Sequence, residues 1–201
     1  MMNEKKRRIL NEGLKAFAKN SYEDASLNHI LENAEVSKGT FYHYYHDKLG
    51  LYLELVGICI EKKIDYSSTL SSAEYAFDVN DDFFTALKKQ AMINLGFMEQ
   101  YPLHYRLTVK LSDEDETIKT AIREKYSRKL EGGFSDMIDM AYLKGEFSAK
   151  YPKGFVKNIM THMMTRYDDL LFPDRENISA ESIEATLDLY FEFLKNGFSV
   201  K

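Results

Sequence analysis

The chain has no tryptophan, one cysteine and three prolines in 201 residues. A single cysteine excludes an intramolecular disulfide, and the position of Cys59 among Leu55, Val56, Ile58 and Ile60 predicts an inert core thiol. So few prolines, with only ten glycines, leave long uninterrupted helices as the expected architecture. No run approaches the roughly eighteen apolar residues of a membrane span, and the start, MMNEKKRR, is basic without the apolar segment of a signal peptide. A cytoplasmic protein with no membrane partner is expected. A phosphate-cradling glycine loop, a CxxC pair and a GxSxG elbow are also lacking, so no enzyme and no cofactor are expected. His43 and His46 stand in an HxxH spacing beside Asp47, but zinc needs further ligands, and no metal is expected.

Positive charge is scarce as well, with a formal net charge of −5. Divided by segment, residues 1–50 hold eight Lys and Arg against seven Asp and Glu, whereas residues 51–201 hold 19 against 25. The N-terminal quarter is the less acidic part. Lys5, Lys6, Arg7 and Arg8 cluster at its start, where they can meet phosphates.

What is present is concentrated in SLNHILENAEVSKGTFYHYYHDK, from Ser26 to Lys48. Ser26 is placed to cap a short helix whose Leu27, Ile30, Leu31 and Ala34 share a face. Glu35-Val36-Ser37 breaks that period, with Val36 as the apolar plug of a turn and Ser37 as a second N-cap, and Phe41 and Tyr44 continue an apolar face. Two short helices joined by a tight turn form a helix-turn-helix, and the second is expected to start near Lys38 and to read DNA. Gly39 allows close approach to a phosphate or base edge. Lys38 and Thr40 are suited to base edges, and Tyr42, His43 and Lys48 to phosphates. The expected DNA-reading set is therefore Ser26, Ser37, Lys38, Gly39, Thr40, Tyr42, His43 and Lys48.

At these residues the chain resembles the tetracycline-repressor (TetR) family of bacterial transcription regulators. The likeness is carried by Ala16 and Phe17 on the first helix, Ser26 opening the second, then Ala34, Val36, Ser37, the run Gly39 to Tyr42, Tyr45, Asp47 and Lys48. It covers about the first quarter of the chain and departs from the pattern at Ser21 and Glu35, where the family often has glycine. A glycine permits positive φ, so Glu35 implies strain or a reshaped turn, and Asn20 is a candidate for the left-handed position beside Ser21.

The expected fold is all-α, a three-helix head over residues 1–48 and a helical-bundle body over 49–201. The first helix is expected over Glu4–Lys19 with Ile9, Leu10, Gly13, Leu14 and Phe17 inward, and Asp47 is expected to cap a fourth helix ending near Ile64 that joins head and body rigidly. Further helices are expected at Tyr66–Tyr75, Phe83–Gln100, Pro102–Leu111, Glu114–Lys144 with a kink at Gly132-Gly133, Lys153–Phe172, and Ala180–Asn196 opening after Ser179 and stopping at Gly197. Apolar stripes on the last two helices include Phe155, Ile159, Ile183, Leu187, Tyr190, Phe191 and Leu194. Core packing explains such stripes, and the resemblance implies a homodimer through a four-helix bundle of these helices. The resemblance also implies a small apolar or amphipathic effector, with Phe97, Tyr101, Tyr105, Phe134, Met137, Met163 and Tyr167 as candidate pocket residues. Its functional expectation is a repressor that binds a palindromic double-stranded operator and is released by the effector. A DNA-binding factor without an effector is the alternative; a helical enzyme with a relic head lacks any assembled nucleophile, base or metal.

Overall fold

Asn3 turns the chain into its first helix: its side-chain oxygen accepts the Lys5 N–H at 2.9 Å, with Glu4 in the first turn and Lys19 in the last, as the helix dipole favours. The computed structural model describes residues 3–70, 78, 80–130, 134–165, 167–172 and 180–198. Among them are α1 (Glu4–Lys19), α2 (Leu27–Asn33), α3 (Lys38–Tyr44), α4 (Lys48–Thr69), α5 (Phe83–Gln100), α6 (Pro102–Lys110), α7 (Glu116–Leu130), α8 (Phe134–Leu143), α9 (Lys153–Thr165), α10 (Tyr167–Leu171) and α11 (Ala180–Phe198), without a β-strand. The chain is all-α.

These elements form two compact units, Met1–Ser68 with Gly96–Lys129, and Thr69–Leu95 with Leu130–Lys201. In the first, Ile9, Leu10, Leu14 and Phe17 of α1 are buried against Leu51, Tyr52 and Leu55 of α4. Gly13 sets the spacing, since a Cβ there would stand 3.0 Å from Leu55 Cδ1 and 3.3 Å from Leu51 Cδ2. The Phe17 and Tyr22 rings meet the edge of Tyr52 at 4.9 and 5.1 Å. α6 packs along α1.

The turn after α6 delivers a buried carboxylate to this core. Glu114 accepts the Tyr22 N–H at 2.9 and 3.2 Å and the Tyr52 hydroxyl at 3.0 Å. Burial, with the Glu114 charge beside it, raises the Tyr52 phenol and keeps it a donor. Burial likewise pushes the Cys59 thiol up to about 12, so it stays a protonated core residue.

In the second unit, Asp82 accepts the Phe84 and Thr85 N–H groups at 3.0 Å to cap α5, and Lys195 of α11 reaches the same carboxylate at 2.8 Å. Phe83, Phe84 and Phe147 form a buried ring cluster, with Glu146 accepting the Phe83 N–H at 2.6 Å. Tyr167 donates to the Ala91 carbonyl at 3.2 Å and Tyr190 to that of Met163 at 3.1 Å.

Several boundaries differ from the sequence expectation. α4 continues past Ile64 to Thr69, and Tyr66 packs on Phe97 and Tyr101 at 5.7 and 6.2 Å, which carries the extra turn. The expected Glu114–Lys144 helix is α7 and α8, and Gly132-Gly133 lie outside the described residues. Lys153–Phe172 is α9 and α10, with Arg166 outside them. Residues 71–75 and Ser179 also lie outside. Gly197 does not stop the last helix, because the Phe198 carbonyl accepts the Ser148 N–H at 2.8 Å and its ring rests on Tyr151 at 5.4 Å.

Replacing Glu114 by Ala removes the acceptor of one buried and one part-buried donor and is expected to destabilise the protein by about 2–4 kcal/mol in urea titration, whereas Glu114→Gln, which keeps one acceptor oxygen, loses less. Equal and negligible losses in the two variants would contradict the role given to this carboxylate.

Candidate nucleic-acid interface

Two serine caps build the reading pair. Ser26 Oγ accepts the His29 N–H at 3.4 Å to open α2, and Ser37 Oγ accepts the Thr40 N–H at 3.2 Å to open α3. Ile30, Leu31, Ala34, Val36 and Phe41 are buried beneath them. Glu35 sits in the turn at φ 51°, the left-handed region that favours glycine, so the turn keeps its shape without one. Arg8 grips the same residue, donating to the Glu35 carboxylate at 2.8 Å and to its carbonyl at 3.2 Å. Asn20 does not take a left-handed position; it is extended at φ −118°, and its amide donates back to the Ala16 carbonyl at 3.0 Å. The Arg8 grip carries no local sequence signal, because its partner is 27 residues away.

α3 presents Lys38, Gly39, Tyr42 and His43 to solvent, with Tyr42 58% exposed and Thr40 partly covered. The Thr40 hydroxyl lies 3.0 Å from Ser37 Oγ. A Cβ at Gly39 would meet nothing closer than Ser37 Oγ at 4.0 Å. The fold therefore makes no packing demand for a glycine at the start of α3.

Lys48 is placed differently from the sequence expectation. Its ammonium donates to the carbonyls of Tyr22 at 2.7 Å, Ala25 at 3.1 Å and Glu23 at 3.3 Å, and lies 4.4 Å from the centroid of the Tyr22 ring. It ties the start of α4 to the loop before α2 and has no donor left for phosphate. Asp47 accepts the Gly50 N–H at 2.8 Å to cap α4; this bond, helped by His46 at 3.2 Å, holds its carboxyl below the usual range. In the basic start, Lys6 pairs with Glu54 at 2.8 Å and Arg8 with Glu35, while Lys5 and Arg7 are exposed.

A family profile described as bacterial regulatory proteins, tetR family, matches residues 9–55, the segment that holds this helix-turn-helix. Over this segment the chain carries the DNA-binding region of the tetR family. It is 26% identical over 206 aligned positions to YerO, an uncharacterized HTH-type transcriptional regulator of Bacillus subtilis, covering 94% of this chain and 65% of that protein. In fold it is similar to a TetR family transcriptional regulator from Chloroflexus aurantiacus, with a TM-score of 0.75 at 20% identity over 100% of this chain and 96% of the other. A putative tetR family regulator from a Shewanella species gives 0.66 at 19% identity, with both chains covered in full. These relatives are regulators rather than enzymes.

The remaining tetR expectations distribute unevenly. Phe97, Tyr101 and Tyr105 belong to the first compact unit, and Phe134, Met137, Met163 and Tyr167 to the second. Phe97 and Tyr101 pack ring on ring at 5.4 Å, and Tyr105 is buried. Phe134 meets Phe83 at 6.2 Å, Tyr167 is buried, and Met137 lines an open cleft of about 510 Å³ with Phe83, Gln90 and Met140. Of the dimer candidates, Leu187, Tyr190, Phe191 and Leu194 are buried within their own chain and Ile183 is partly covered, so these positions do not offer a free face. Phe155 and Ile159 are exposed, and so are two residues that the stripe reading missed, Leu189 at 69% and Phe193 at 70%. Their spacing of four was the available signal.

Lys48→Ala is expected to lower stability by about 1.5–3 kcal/mol, because three carbonyls lose a charged donor. In DNA titrations the salt dependence of the folded variant should equal that of the parent, which a phosphate-contacting lysine does not allow.

Proposed function

We propose that the protein is a homodimeric DNA-binding transcriptional repressor that reads a palindromic operator with α3 and is released by a small apolar or amphipathic effector. In this reading residues 1–48 read DNA and residues 49–201 sense and dimerise. The observation that carries it is the outer start of α3: capped, exposed, and glycine at a position where the fold has room for a side chain. That glycine answers to something outside the protein. Lys38 and Thr40 face base edges, Tyr42 and His43 face phosphates, and Ser26 and Ser37 set the helix ends. Lys5 and Arg7 add phosphate contacts from α1. The effector acts by preferring the form whose two heads no longer fit successive major grooves.

DNA fragments selected by the purified protein should contain an inverted repeat. Gly39→Ala should leave stability unchanged or raise it by up to about 1 kcal/mol while weakening operator binding, a split that separates contact from folding. Lys38→Ala should weaken the selected site by about 1–3 kcal/mol and relax preference at particular positions. If both variants bound the selected site as the parent does, α3 would not be the reading helix.

The dimer is assigned to the exposed Leu189 and Phe193 of α11 together with Phe155 and Ile159 of α9. A water-facing Leu and Phe one turn apart are a cost to a monomer that a second copy removes. Sedimentation of Leu189→Glu/Phe193→Glu should report a folded monomer, whereas Leu187→Glu, which charges the protomer core, should unfold the chain. A folded dimer after the double change would sink this interface.

A further inference from the structure

One cleft in the first unit is unclaimed by the seven effector candidates. It has a volume of about 430 Å³ and is open on one side; Leu10 and Leu14 of α1 with Leu55 and Ile58 of α4 give it an apolar floor, and Arg7, Arg8, Asn11 and His104 give it polar walls. Among the described residues no carboxylate lines it. Among the described residues the side chains of Arg7 and Asn11, one helical turn apart on α1, make no hydrogen bond or ion pair, and both are exposed. Arg8 is gripped by Glu35 through its terminal nitrogens, while its Nε is buried without a partner. Opposite, His104 of α6 is half-buried; burial, and then the Lys62 charge, lower its basicity, so the imidazole is neutral near pH 7. The surroundings are thus positive, apolar at the bottom, and supplied with unused donors.

We propose that this cleft binds a small amphipathic monocarboxylate, its hydrocarbon body on Leu10, Leu14, Leu55 and Ile58 and its carboxylate at Arg7 and Asn11, and that bound ligand and DNA phosphate compete for Arg7. The charge of the occupant follows from the walls: a cation would face the Arg7 guanidinium with no carboxylate among the described lining residues to receive it, and a neutral apolar molecule would gain nothing from that charge. The volume falls in the range of small-molecule sites. Arg7 is the hinge of the idea because it belongs both to the cleft and to the exposed basic start of α1. An anion seated there removes one positive charge from the DNA-facing end of the helix, and by linkage DNA weakens the ligand by the factor that the ligand weakens DNA. This switch needs no change of shape. It rests on reading α1 as a phosphate-binding element, and it adds a ligand class and a site on the head itself.

The probe is sodium decanoate, with decyltrimethylammonium as the charge-reversed control, titrated calorimetrically into the full-length protein. Decanoate should bind and the cation should not. Arg7→Gln, at an exposed position that the fold does not depend on, and Ile58→Phe, which fills the cleft, should each weaken decanoate at least about tenfold. In fluorescence anisotropy, saturating decanoate should raise the dissociation constant of the parent for its selected operator several-fold. Absence of decanoate binding, equal binding of the two amphiphiles, or unchanged decanoate affinity in folded Arg7→Gln overturns the site. Decanoate binding that leaves operator affinity unchanged overturns the competition. If the protein bound no DNA at all, the repressor reading would fall, while the calorimetry would still decide the cleft.

Discussion

A carboxylate taken out of water has to be met by donors, and Glu114 meets this demand by drawing together three distant parts of the chain. It comes from the turn after α6, takes the backbone N–H of Tyr22 in the loop before α2, and takes the hydroxyl of Tyr52 in the middle of α4. Tyr22 is held from its other side by Lys48, whose ammonium bonds its carbonyl and covers its ring. The loop is thus fixed at both polar groups of one residue and at its ring. Since α2 starts five residues after Tyr22, whatever orients Tyr22 also aims the reading pair. The helix-turn-helix is held by chemistry that lies outside it.

Inside the reading pair the decisive feature is the turn. A residue with a side chain in the left-handed region costs of order 1 kcal/mol relative to glycine, yet Glu35 turns its side chain into a handle for Arg8. The same contact withdraws Arg8 from the pool of free cations, and Glu54 withdraws Lys6. Four basic residues in sequence thus present two charges without an ion-pair partner among the described residues, Lys5 and Arg7, at the start of α1. A count of basic residues therefore overstates what the head offers to phosphate, because carboxylates in the same fold have already taken a share.

Features governed by neighbouring residues were legible in the sequence. The caps Ser26 and Ser37, the start of α3 at Lys38, the limits of α1 and the inward face of Ile9, Leu10, Leu14 and Phe17 all follow from spacings of three or four. Lys48 was misread because its partners lie 23 to 26 residues back, where no periodicity reaches. Glu114 is only the first residue of an expected helix in the sequence, for the same reason: Tyr22 and Tyr52 are 92 and 62 residues away. α11 shows a third kind of limit. Its sequence is apolar on two faces, Leu187, Tyr190, Phe191 and Leu194 on one and Leu189 and Phe193 on another, and the pattern alone does not tell which face a protomer keeps. Burial decides it.

The Glu114 contact also orders events in time. A ribosome delivers Tyr22 and Tyr52 long before it delivers their common partner, and domains form as their residues emerge. A nascent head can gather Phe17, Tyr22 and Tyr52 into a ring cluster, but the Tyr22 amide and the Tyr52 hydroxyl stay with water until the turn after α6 has been made. The reading surface of a growing chain is therefore set only after more than half of the protein exists. Messages that end early would release heads whose aim is unfixed, and cutting the gene at the boundary drawn by the helix-turn-helix would do the same.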